Sequence, residues 1–180
     1  KKSMSNLRFL NKTTFSGVAS ASTTDLFTSD FQVYKIVFSN YQATSGTAGR
    51  GRLRFINSSG SVDSTSTYNH ASLAIESPTS SSFPEVKSTT DKFIDFMLFD
   101  NGETGAASSG VMYVFNPFES SNFTYVTFQE GHFQNGFGAS SEKGIGVLKS
   151  QSSITGINIH GANSGSFNLT VKTYGLRIDS

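Results

Sequence analysis

At 180 residues, with 36% hydrophobic and 15% charged residues and a formal net charge of +1, the chain has the size of one domain with a substantial core. Aromatic residues reach 13%, with 17 Phe, which excludes the disordered class of high net charge and few aromatics. The absence of Cys excludes disulfide frameworks, thiol nucleophiles and the common structural zinc sites, and the scattered basic residues lack the footprint of a nucleic-acid binder.

Residues 1–12, KKSMSNLRFLNK, have no apolar h-region, and no run in the chain approaches the roughly 18 apolar residues of a membrane span. Neither a signal peptide nor a transmembrane helix is expected. Two weak strand candidates follow, LRFL (7–10) and TTFSGVAS (13–20), so residues 1–23 read as an N-terminal extension with the first weak strands.

From residue 24 onward strand signals are dense: FQVYKIVF (31–38), RGRLRFI (50–56), YNHASLAI (68–75), KFIDFMLF (92–99), VMYVF (111–115), FTYVTF (123–128), GIGVL (144–148) and SITGINI (153–159). Turn clusters NSSGS, DNGETG, NGFG and ANSGS separate them, and no window carries a helical stripe. Residues 24–180 therefore predict a single all-β domain, an antiparallel jelly-roll-like sandwich of about eight or more strands. The segment Ser77 to Thr90 reads as a long surface loop.

The closing stretch SFNLTVKTYGLRID (166–179) changes parity, from Phe167, Leu169 and Val171 to Tyr174, Leu176 and Ile178. It predicts a β-bulge near Lys172 and Thr173 or a bend eased by Gly175. FQVYKIVF, KFIDFMLF and VMYVF are apolar on both faces, more than a two-layer sandwich covers by itself, so a partner subunit is expected to supply the cover.

Candidate sites are few. FQEGHFQNGFG (128–138) interleaves Phe128, Phe133 and Phe137 with Gln129, His132, Gln134 and Asn135 on a glycine-rich background. Flat rings beside amides suit sugar binding, so Phe133, Phe137, His132, Gln134 and Asn135 form a candidate glycan loop, against the commoner outcome of aromatics packing onto the core. The Arg50, Arg52 and Arg54 stripe fits either a grip on sulfated glycan or partner carboxylates, or a solvated edge strand. Asp95, inside an apolar run, is read as the partner of an Arg or Lys rather than as a catalytic acid. DNGETG (100–105) resembles the start of a calcium loop but lacks its later ligands, and an Asn-Gly hairpin turn accounts for the letters. His70, His132 and His160 stand in no metal-ligand spacing, so no metal, cofactor or catalytic residue is assigned. No nucleophile-elbow, zincin, Walker or dinucleotide pattern occurs in a convincing context, and no enzyme activity is expected.

The order TDLFTSDFQVYKIVFSNYQATSG, LRFINSSGSV, SGVMYVFNPF and ITGINIHGANSGSFNLTVKTYGLRI resembles β-sandwich virion surface proteins of tailed bacteriophages, especially marine phages, over roughly residues 24–179. The resemblance implies a non-enzymatic structural protein on the virion surface, assembled in the host cytoplasm and oligomeric, with a trimer favoured. Its expected partners are other virion proteins and, for a tail fibre or appendage, host-surface glycan. The alternatives are a head decoration or cement protein and a lectin-like carbohydrate-binding module. Neither nucleic acid nor membrane is expected as a partner.

Overall fold

A computed structural model describes residues 6–45, 49–77, 83–99, 105–134, 138–163 and 165–177. These build twelve strands: β1 (Leu7–Val18), β2 (Ser20–Thr23), β3 (Val33–Ala43), β4 (Gly49–Asn57), β5 (Tyr68–Glu76), β6 (Glu85–Asp91), β7 (Ile94–Phe99), β8 (Ser108–Phe115), β9 (Thr124–Gln134), β10 (Gly138–Leu148), β11 (Ile154–Gly161) and β12 (Phe167–Leu176). Every pairing is antiparallel. One sheet has the order β1-β12-β3-β8-β9-β10-β5-β6 and the other β2-β11-β4-β7. This is the all-β antiparallel sandwich that the strand and turn pattern predicts.

Aromatic side chains fill the space between the sheets because alternate positions of each strand face it. Tyr34, Ile36 and Phe38 of β3 meet Leu53 and Phe55 of β4, Ile94 and Phe96 of β7 and Val126 and Phe128 of β9 in one buried cluster. Phe96 sits at its centre, with ring centroids 5.0 Å from Phe38 and 6.4 Å from Phe128. Residues 7–23 join this body directly, since β1 pairs with β12 in the large sheet and β2 with β11 in the small one.

The last strand departs from the expected bulge. The inward side of β12 runs Phe167, Leu169, Val171, Thr173 and Gly175 without interruption, and its register with β3 is continuous from Thr170 to Leu176. The irregularities lie in its neighbours. In β1 extra residues fall at Leu10 and again between Phe15 and Val18, and in β3 the chain turns through Asn40 at φ 55°, handing the inner face from Phe38 to Tyr41 and Ala43. Tyr174 points outward, 5.5 Å from the ring of Phe9. Gly175 leaves the inner position empty because Phe31 fills it: a Cβ there would come within 2.6 Å of that ring. Ile178 lies outside the described residues.

Two further expectations change. Residues 85–90 of the expected loop, with Asp91, form β6, the edge of the large sheet beside β5. LRFL and TTFSGVAS merge into the single strand β1 up to Val18, their polar interval Asn11–Lys12 carried by pairing with β12.

Candidate functional site

The β9–β10 hairpin does not assemble the loop expected from its letters. Phe128 is buried against Phe96, and His132, 9% exposed, faces the interior with Nδ1 3.0 and 3.1 Å from the two carboxylate oxygens of Glu130. Of the candidate residues whose side chains are described, Phe133, 46% exposed, stands out towards solvent. The backbone of Gln134 pairs with Gly138, while Asn135 and Phe137 lie outside the described residues, as do residues 100–104 of DNGETG. The strand period of two explains the split: 128, 130 and 132 share the inner face, and 133 takes the other.

That inner face carries a polar cluster that no single segment reveals. Glu130 lies directly opposite Glu142 in register, and both are buried. Arg50 crosses from the small sheet and donates to both oxygens of Glu142 at 2.7 Å, and the Ser72 hydroxyl donates to the same carboxylate. Gly110 makes room on the next strand, where a Cβ would come within 2.8 Å of Glu130 Cβ. Burial pushes the Glu130 carboxyl above the usual carboxylate range, opposed by its hydrogen bond and charge interaction with His132; Glu142 adds to the rise and Arg50 opposes it. With both carboxylates enclosed and each held by a basic partner, the cluster ties the two sheets together at the hairpin end of the sandwich.

The arginine stripe is also used internally. β4 lies between β11 and β7, so the edge-strand reading fails. Arg50 takes Glu142, Arg52 takes Asp95 at 3.2 Å and covers the Phe93 ring at 4.0 Å, and Arg54 donates to the Lys92 carbonyl at 3.0 Å. Asp95 is thus an ion-pair partner, as read from sequence. His70 stacks on Phe93 at 6.4 Å and His160 meets the same ring edge-on at 6.1 Å, whereas His132 belongs to the Glu130 cluster. His160 is pushed down to about 4 by burial, with Arg54 and Arg52 adding to the effect. Among the described residues no group of three or more potential ligands could hold a metal ion.

The large accessible feature is the outer face of the eight-stranded sheet. Pairing puts Phe9, Tyr174, Lys35 and Tyr113 in one lateral row over β1, β12, β3 and β8, and the row continues through Thr127, Ile145, Ala71 and Lys87. Next to it a groove of about 570 Å³ is lined by Tyr125, Ile145, Val147, Ala71, Lys87 and Thr89, among others. Towards the hairpin end the usual patterning is inverted. Leu73, Ile75 and Phe133 are exposed by 49%, 63% and 46%, while Ser72, Glu130, His132 and Glu142 are buried behind them. Sequence reading found the second apolar face of FQVYKIVF and VMYVF but not the surface they join, because its residues come from eight segments whose lateral order is not their chain order. The available signal was the second apolar parity of VMYVF, FTYVTF and YNHASLAI.

No family model matches the chain, and no curated protein does. Among solved structures it is similar to the marine PL-14 alginate lyase from Aplysia kurodai, at 9% identity over 85% of this chain and 72% of that one, with a TM-score of 0.35. It is similar to the fructosyltransferase from A. japonicus at 13% identity, over 96% of this chain and 26% of that one, with a TM-score of 0.39. The Ruminococcus gnavus IT-sialidase CBM40 shares 11% identity over 94% of both chains, with a TM-score of 0.28. At these TM-scores the likenesses carry no argument about activity or ligand, and a functional reading rests on the chain's own surface.

Proposed function

We propose that the chain is a non-enzymatic virion surface protein, a tail fibre or related appendage component that contacts host-surface glycan and associates with copies of itself. The observation that carries this reading is the outer face of the eight-stranded sheet, where exposed rings and aliphatic side chains stand outside a layer of buried charge. Leu73, Ile75, Ile145 and Tyr125 each leave a large part of their surface in water, where it adds nothing to folding, so a contact made by that face gives this exposure a purpose. The two buried carboxylates support a structural role, since each is enclosed and engaged by a basic side chain.

The test is location together with adhesion. Antibody-labelled electron microscopy of intact particles is expected to mark an appendage, and the isolated protein is expected to bind host cells in competition with their surface polysaccharide. Label over the head shell, with no cell binding and with shells that weaken when the protein is depleted, replaces this reading with head decoration. Cell binding by a protein absent from particles replaces it with a secreted lectin-like module.

A further inference from the structure

Building on glycan contact as the role of this face, we infer that the glycan is an anionic polysaccharide laid across the strands of the eight-stranded sheet. Charge carries the inference. Outward positions of this sheet hold Lys12, Lys35, Lys87, Lys143 and Lys172, whereas the carboxylate on those positions is Glu85, 2.5 Å from Lys87. The three arginines of the other sheet are engaged as described, and the formal net charge of +1 is therefore unevenly spread, with basic excess on this face. Acidic glycans are drawn to such a surface and neutral ones are indifferent to it.

Ring placement supplies the second observation. Lys35 is paired in register with Tyr113 on one side and Tyr174 on the other, with Phe9 beyond, so a lysine position lies between two tyrosine positions on the same face. Strands repeat at about 4.8 Å, close to the advance of one pyranose ring along an extended chain, so successive sugars meet a ring, an ammonium and a ring in turn. Further along, Tyr125 and Lys87 line the groove and offer a ring and an ammonium held in an exposed surface ion pair with Glu85, for which an acidic sugar competes. Nucleic acid is the competing polyanion. Outward positions of these strands carry no arginine, the side chain that forks onto phosphate, which favours a carbohydrate.

Affinity electrophoresis of the whole protein tests this, through gels holding a polyuronate, a sulfated galactan, neutral dextran or single-stranded oligothymidylate. Retardation by at least one acidic polysaccharide, and none by dextran or oligothymidylate, is expected. Lys35→Gln with Lys87→Gln, and separately Tyr125→Ala, are expected to weaken that binding about tenfold, while Lys92→Gln, off the face, leaves it unchanged. All are exposed or half-exposed positions, and melting curves report that the variants are folded. Dextran retarded equally, or acidic binding unchanged in the lysine pair, overturns the anionic assignment and leaves glycan contact standing. Oligothymidylate binding with no polysaccharide binding overturns both, and so does retardation by none of the four together with failure to bind host cells.

Discussion

Glu130 and Glu142 face each other across two strands, yet the same substitution is expected to act on them in opposite directions. Glu130 has its folded-state pKa raised, so the stability it contributes is present below its ordinary value of 4.5 and is lost as pH rises through the folded value. Glu130→Gln keeps an oxygen for His132 and removes the buried charge, so melting temperature at pH 7 is expected to rise, with the gain vanishing near pH 4. Glu142→Gln instead leaves Arg50 without its forked partner in a largely enclosed site, and urea denaturation is expected to show a loss of about 3 kcal/mol. His160 supplies a third test. Its pKa falls from 6.5 to about 4 on folding, so the unfolded chain binds the proton first and stability declines as pH drops from about 6.5 towards about 4. His160→Gln is expected to flatten that part of the melting profile; an unchanged slope would assign it to other groups. The pairing of Asp95 with an arginine was legible from its position in an apolar run. The Glu130–Glu142 contact was not, because the two residues are twelve positions apart and meet only through hairpin register.

For strands, the instructive case is β12. The apolar letters change parity at Tyr174, but the strand does not. Its inner positions continue through Thr173 and Gly175, while the outer positions take Tyr174 and Leu176. A glycine reads as absent from a hydrophobic pattern even when its position is buried, and here the volume belongs to Phe31, delivered from the segment before β3. Gly175→Ala is expected to cost about 1–3 kcal/mol by overpacking against that ring. Equilibrium unfolding measures it, and a double variant that also carries Phe31→Leu is expected to recover part of the loss. The bulge at Asn40 went unread for a related reason, since β3 carries enough apolar residues on both faces to support either register, while β1 has too few apolar letters after Leu10 to fix one.

Over the whole molecule, the large sheet has two unlike faces that are both rich in apolar side chains. The inner one makes the core. The outer one divides into the ring-and-lysine row and an aliphatic corner formed by Leu73 and Ile75 with Phe133. If that corner seats a second copy, Leu73→Ser with Ile75→Thr is expected to reduce the sedimenting mass at micromolar concentration while leaving the melting temperature nearly unchanged, because neither side chain is in the core. A wild-type chain that sediments as a monodisperse monomer would remove self-association from the proposed function. The Lys35, Lys87 and Tyr125 substitutions should not move this readout, which separates the two halves of the face.

Composition, strand period and turn letters by themselves determined an all-β antiparallel sandwich, its principal strands and Asp95 as a structural carboxylate in need of a partner, because these depend on alternation within one segment and on the charges a buried strand tolerates. Tertiary structure alone decided that His132 turns inward beside Glu130, that the arginine stripe is engaged by groups of the same chain, and that lysines and rings from distant segments share one face. Lateral strand order is set by long-range pairing, and a single segment carries no record of which strand will lie beside it.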